Sequence, residues 1–165
     1  MGTTVIGIDP GLTRMGFAVV RQDGSSLRSI DCGAITTAAE LPLESRLDRL
    51  FTCLTVLMTE HAPHAIAVER VFLNKNALSA IGSIQASGIA LLAAARCGAP
   101  VTVYSPAQVK QAVVGTGSAS KDQVRYMVER IAPGAKPASP DAADAIAIAI
   151  THLALRRHMA LEEVR

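Results

Sequence analysis

Four acidic side chains in three distant segments have the types and neighbours that hydrolytic chemistry requires. Asp9 closes the apolar run Val5-Ile6-Gly7-Ile8, Glu69 closes Ile66-Ala67-Val68, and Asp141 and Asp144 open a long apolar segment. An unpaired charge at the inner end of a buried strand costs several kcal/mol, roughly, after relaxation. Something positive is therefore expected opposite these groups. No Lys or Arg lies within the same runs, so a bound divalent cation is the simplest partner. A donor set of oxygen alone, with no Cys and no compulsory His, suits Mg²⁺ or Mn²⁺ better than Zn²⁺. Two such ions about 3.5–4 Å apart could activate water and stabilise the leaving oxygen of a phosphodiester. Asp141 by itself is also explained as an acid in the first turn of a helix. Asp9, Glu69 and Asp144 have no such explanation.

The elements that must bring these groups together can be read from periodicity. Residues 4–8, 16–21 and 27–35 read as three strands joined by turns at Pro10-Gly11 and Asp23-Gly24. Leu43, Leu47, Leu50, Phe51, Leu54 and Met58 then recur at helical spacing up to His61, and Pro63 ends that helix. Residues 65–68 and 101–104 are short apolar strands of the kind buried on both faces. A helix over 77–96, closed by Gly98, separates them. Ser105-Pro106, Ser120 with Gln123, and Ser139-Pro140 are three helix starts. The natural packing is α/β, a five-stranded mixed sheet with helices on both faces. If the first and fourth strands are parallel neighbours, Asp9 and Glu69 share one sheet end. Asp141 and Asp144, three apart on a helix, project from one face.

With 165 residues, half of them hydrophobic, the chain fits a single domain over 1–165. The apolar stretches 142–155 and 88–95 are interrupted by charge or are far shorter than the ~20 residues of a spanning helix. No charged-then-apolar leader opens the sequence. The expectation is no membrane association and a cytoplasmic location. Cys32, Cys53 and Cys97 lack metal-like spacing and read as reduced core residues. A net charge of +2 is compatible with a polyanionic substrate without demanding one.

Taken in order, the motifs resemble the RuvC family of Holliday junction resolvases, which share the RNase H-like fold. The resemblance spans nearly the whole chain. It rests on Ile6-Gly7-Ile8-Asp9-Pro10-Gly11 with Gly16, on Val68-Glu69-Arg70-Val71-Phe72 with Lys75-Asn76, on Gln108-Val109-Lys110 with Gly115-Thr116-Gly117 and Lys121, and on Asp141-Ala142-Ala143-Asp144-Ala145. It implies that Asp9, Glu69, Asp141 and Asp144 are the catalytic, metal-binding residues. It also implies a homodimer that nicks two strands of a four-way DNA junction and works with the RuvA and RuvB branch-migration proteins.

Phe72 stands in a polar turn beside Arg70, Asn74, Lys75 and Asn76. An exposed aromatic flanked by cations suits stacking on bases, and a Phe folded back onto the core is the alternative. Lys110 and Lys121 could contact phosphate or stabilise developing charge, or could be ordinary solvated lysines. Ala80, Gly82, Ser83, Ala86, Ser87, Gly88 and Ala90 would let the 77–96 helix approach a neighbour closely. Packing on its own sheet is the common reason, and the resemblance favours a share in a dimer interface. His61, His64, His152 and His158 show no ligand spacing and read as structural or exposed. Asp9-Pro10-Gly11-Leu12-Thr13 also resembles the first phosphate loop of actin-like ATPases and sugar kinases, which need a second half-domain. Two readings keep the RNase H-like fold: a nuclease acting on RNA–DNA hybrids and a non-catalytic junction-binding module.

Overall fold

The computed structural model describes the backbone of residues 2–72, 77–133, 137 and 139–162, and the side chains among them outside 77–79 and 157–162. Three strands come first, β1 (Thr3–Asp9), β2 (Arg14–Asp23) and β3 (Ser26–Thr36). There follow α1 (Leu43–His61), β4 (Ala65–Glu69), α2 (Ala77–Cys97) and β5 (Val101–Tyr104), then α3 (Pro106–Val114), α4 (Lys121–Ile131) and α5 (Pro140–Glu162). The strands form one mixed sheet in the order β3-β2-β1-β4-β5. The first three strands pair antiparallel, whereas β1 with β4 and β4 with β5 are parallel. Strand β2 begins at Arg14 rather than Gly16, which moves an arginine from the expected turn onto the sheet.

The helix starts follow from their caps. Ser105 Oγ accepts the Gln108 N–H at 3.2 Å while Gln108 Oε1 accepts the Ser105 N–H at 2.8 Å. Ser120 and Gln123 repeat the arrangement with the same distances. Each reciprocal cap satisfies donors that the first helical turn leaves open, a device worth ~1 kcal/mol. At α5, Ser139 Oγ accepts the Ala142 N–H at 3.2 Å. Helix α1 ends on Ala62 in the left-handed region (φ 40°), and Pro63 prevents its continuation.

Side chains alternate across the sheet with the two-residue period of a strand. Ile6, Ile8, Val19, Ile66 and Val68 face α1 and α2. Val5, Ala18, Val20, Ala65 and Ala67 face α3, α4 and α5. The two faces differ in bulk. Large aliphatics fill the first layer, but around β1, β2 and β4 the second is made mainly of Gly7, Gly16, Ala18, Ala65 and Ala67 against Asp141, Ala145 and Ala149. Helix α5 can therefore lie almost directly on the strands. A Cβ at Gly7 would overlap the backbone oxygen of Ala145, and one at Gly16 would overlap that of Asp141. Neither obstacle is a flexible side-chain tip that could swing aside.

Helix α2 departs from expectation in two ways. Several of its small residues turn inward: Ala80, Ala86 and Ala90 are buried and a Cβ on Gly82 would sit 3.2 Å from the Leu12 side chain, whereas Gly88 is exposed. The outward face is instead large and apolar, with Ile81, Ile84, Leu91 and Leu92 exposed. Small-residue content alone carries no phase, and α1 together with the sheet claims the narrow face. Among the described residues, Ala80–Cys97 is also the one segment long and apolar enough to cross a membrane by length and composition, with mean hydropathy 1.3. That apolarity is shared between the inward packing and the exposed stripe.

Steric contact at the α5 face predicts that Gly7→Ala and Gly16→Ala each lose about 1–3 kcal/mol of stability in urea unfolding, the usual range for overpacking a tight core. Gly88→Ala, with nothing within 4 Å of the added methyl, should gain about 0.5–1 kcal/mol. Equal responses at all three positions would remove the packing argument.

Candidate active site

Parallel register delivers the first pair of carboxylates. Ile8 lies opposite Val68 across β1 and β4, so the next residues, Asp9 and Glu69, end adjacent strands at the same edge of the sheet. Beside them, β5 runs to Tyr104, which is paired with Glu69 and whose carbonyl accepts the Arg70 N–H at 2.8 Å. Helix α5 supplies the second pair from its first two turns, where Asp144 is the one charged residue in the otherwise apolar buried stretch. The contact of Gly16 with the Asp141 backbone fixes that helix end over the strand ends.

The electrostatics show that the four groups act on one another. Burial, then the charges of Glu69, Asp144 and Asp141, push the Asp9 carboxyl up to about 7, with Lys121 opposing. Burial, then Asp144, raises Glu69 to about 7, while Lys121 and Lys110 pull the other way. The two strand carboxylates are thus short of positive charge from the protein. Lys121 itself is raised, chiefly by Asp144, and its Nζ stands 3.4 Å from Asp144 Oδ2. Arg14 Nε donates to Asp141 Oδ2 at 2.8 Å.

A bound cation was the simplest expected partner, and these pairs add two that the chain itself supplies. Arg14 and Lys121, from β2 and α4, hold the two helix carboxylates in ion pairs. Among the described residues, no three His, Cys, Asp or Glu side chains converge tightly enough to grip an ion as they stand. The donor chemistry nevertheless fits a hard divalent cation. All four groups are carboxylates, Asp9 senses the charge of the other three, and burial together with those charges raises Asp9 and Glu69 to about 7, a penalty that added positive charge would relieve.

The flanking residues sort clearly. Lys110 on α3 and Lys121 at the start of α4 both lie near enough to Glu69 for their charge to lower its pKa. Arg70 is exposed just beyond β4. Phe72 is 49% exposed, which excludes the core reading. Lys75, with Asn74 and Asn76, lies outside the described residues. His152 is drawn to a different partner, its Nδ1 3.0 Å from the Tyr104 hydroxyl, and burial followed by Arg156 lowers its pKa. His64 Nδ1 accepts the Thr4 N–H at 3.1 Å, a structural role at the far end of β1. Arg14 escaped the sequence reading. Its position between the Pro10-Gly11 turn and Gly16 was the available signal, because a cation there must emerge beside Asp9.

Comparison with known proteins gives the family and the fold. The family model described as "Crossover junction endodeoxyribonuclease RuvC" matches residues 5–152. A crossover junction endodeoxyribonuclease RuvC of Bradyrhizobium diazoefficiens is 44% identical over 157 residues, covering 95% of this chain and 90% of the relative. One from Brucella suis is 48% identical over 148 residues, covering 90% and 86%. Among solved structures, that of T. thermophilus RuvC in complex with a Holliday junction substrate superposes with a TM-score of 0.88 at 36% identity, over 95% of this chain and 96% of that one. The sheet and helices are those of the RNase H-like fold, and this chain belongs to the RuvC family of crossover junction endodeoxyribonucleases.

Proposed function

We propose that this chain, as one nuclease domain over residues 1–165, resolves four-way DNA junctions by paired symmetric nicks in recombination and repair, using Mg²⁺, with Mn²⁺ as a substitute. The observation that carries the reading is the meeting of Asp9, Glu69, Asp141 and Asp144 at one sheet end, with Asp9 and Glu69 both raised to about 7 and two lysines alongside. Two divalent cations held by these carboxylates would supply charge stabilisation and an activated water for phosphodiester hydrolysis. The side chains themselves do the rest. Asp9 and Glu69 are fixed by the sheet, so their oxygens keep one orientation. Lys110 and Lys121 oppose the charge that builds on the phosphate and its leaving oxygen. Phe72, with Arg70 and Lys75, suits a base unstacked at the junction centre. The Holliday junction bound to the T. thermophilus relative supports this substrate class over an RNA–DNA hybrid.

Resolution needs two cuts, and one domain carries one carboxylate site. A two-fold homodimer supplies the second. The exposed Ile81, Ile84, Leu91 and Leu92 stripe on α2 is the apolar surface that supports this partner, in place of the small residues that sequence favoured. RuvA and RuvB complete the assembly by moving the junction, and the cytoplasm, where bacterial DNA lies, is the site of action.

Cleavage of a synthetic four-way junction is expected to require Mg²⁺ or Mn²⁺. Asp9→Asn, Glu69→Gln, Asp141→Asn and Asp144→Asn should each reduce it by at least about 100-fold, the scale of losing a general acid–base or metal-holding group, while junction binding persists. Linear duplex and RNA–DNA hybrid run in the same gel test the substrate class. Activity that survives EDTA, or full cleavage by any of the four variants, would refute the assignment.

The raised carboxyls give a pH dependence whose sign is fixed. Between the ordinary values of 3.8 and 4.5 and the folded values of about 7, the native state of Asp9 and Glu69 binds more protons than the unfolded chain. Stability of the cation-free protein should therefore fall as pH rises from about 4 to 7 and level off above that. Thermal melts across that window should show the slope reduced in Asp9→Asn, and reduced again when Mg²⁺ is added. A rising melting temperature over the same window would contradict it.

Ile84→Glu combined with Leu92→Glu should yield a monomer in sedimentation. On a supercoiled cruciform plasmid, such a variant should produce relaxed circles where the parent produces linear DNA. A dimer unaffected by both changes would move the interface elsewhere.

A further inference from the structure

On the α1–α2 side of the β1–β2 turn lies a cleft of about 360 Å³ lined by Gly11, Leu12, Thr13, Arg14, Arg46, Gly82 and Ser83. It adjoins the carboxylates through Arg14, which lines it while its Nε is bound to Asp141. Arg46 reaches this turn from the first turns of α1. Its Nε donates to Thr37 Oγ1 at 2.9 Å and its Nη2 to Thr13 Oγ1, also at 2.9 Å. Thr37, buried at the end of β3, passes the chain on by donating from Oγ1 to the Leu12 carbonyl at 2.6 Å. The guanidinium is thereby held in one orientation.

Its charge is not answered in the same way. Both partners of Arg46 are neutral hydroxyls, and no described acidic side chain lies in ion-pair range of it. A guanidinium has five N–H donors, so two bonds leave three to serve a ligand. A half-buried, oriented and uncompensated guanidinium beside hydroxyls is a fork for an anion with paired oxygens, and phosphate is the form of that anion which a nucleic acid presents.

We propose that this cleft is a phosphodiester subsite, in which Arg46, with Thr13, Ser83 and the free N–H groups of Arg14, grips a backbone phosphate of the cut strand next to the one at the carboxylates. The inference rests on the junction-cleaving reading and adds to it a second anchoring point. Its consequence is register: a strand held at two consecutive positions cannot slide along the sheet end, so the scissile phosphate is selected by distance from a fixed cation.

The test uses the full chain and a four-way junction, with binding measured over a range of NaCl without divalent cation and cleavage measured in Mg²⁺. Arg46→Gln should weaken binding about tenfold at low salt and flatten the slope of log affinity against log salt by about one, the signature of one lost phosphate contact. Arg46→Lys should recover part of the affinity, and Ser83→Glu, which leaves the Thr13–Thr37 clamp intact, should weaken binding in the same direction. Neutral methylphosphonates placed one at a time near the cut should weaken the parent at one position and leave Arg46→Gln indifferent there. Loss of cleavage by Arg46→Gln with an unchanged salt slope would reduce the residue to a clamp on the turn and overturn the subsite. Thermal protection of the parent by inorganic phosphate, with no methylphosphonate effect, would assign the cleft to free phosphate and overturn the DNA assignment. A parent protein that leaves the junction uncut fails the resolvase reading first, and the subsite falls with it.

Discussion

The close seating of α5 on the sheet is the constraint on which the site depends. Helices ordinarily ride on a sheet at a distance set by intervening side chains. Here the intervening layer is glycine and alanine, and at Gly7 and Gly16 helix backbone touches strand backbone with no room for a methyl group. Only that contact lets side chains from the first turns of α5 reach groups at the ends of β1 and β4. A longer spacing would leave two carboxylates on the sheet and two on a helix, with little mutual influence. The coupling of Asp9 to both Asp141 and Asp144 is the electrostatic trace of this short distance.

The same sheet gives its other face to bulk. Ile6, Ile8, Ile66 and Val68 fill the layer beneath α1 and α2, so stability is drawn mostly from one side and positioning from the other. This division of labour explains why one alternating strand can read Val5-Ile6-Gly7-Ile8-Asp9. Two residues serve the aliphatic layer, glycine admits the helix, and the strand ends on a charged group at the sheet edge.

Much of this was legible in the sequence because it is local. Apolar runs between turns and helical spacing located the strands and the first helix, and serine with glutamine or proline marked the starts of the last three helices. Parallel pairing of β1 with β4 entered the sequence reading as a condition that a right-handed crossover would meet, and the structure has it. What the sequence hid is long-range or has no phase. The position of Arg14 puts a cation beside Asp9 but does not name a partner 127 positions away, and nothing near Lys121 signals Asp144. The small residues of α2 announce a close contact without saying which surface makes it, and Ala80, Ala86 and Ala90 lie in the chain's own core while Gly88 is exposed. Arg46 has no signal of its own in the sequence, since its meaning lies in Thr13 and Thr37, which are distant along the chain.

Charge balance connects these observations. The protein supplies Arg14 to Asp141 and Lys121 to Asp144, which are the two carboxylates on the helix. It supplies no direct ion pair to Asp9 or Glu69 among the described residues, and those two are the groups whose pKa values rise. A fold built for stability alone would replace such acids with neutral residues, because desolvated like charges oppose folding. Keeping them on strands, with Arg14 and Lys121 paired to the helix carboxylates, makes a site in which positive charge from outside the chain does the most work at the two strand carboxylates. The cations that the protein does provide are tied by single contacts at exposed side chains, so they can follow an incoming phosphate while the strand carboxylates stay in place.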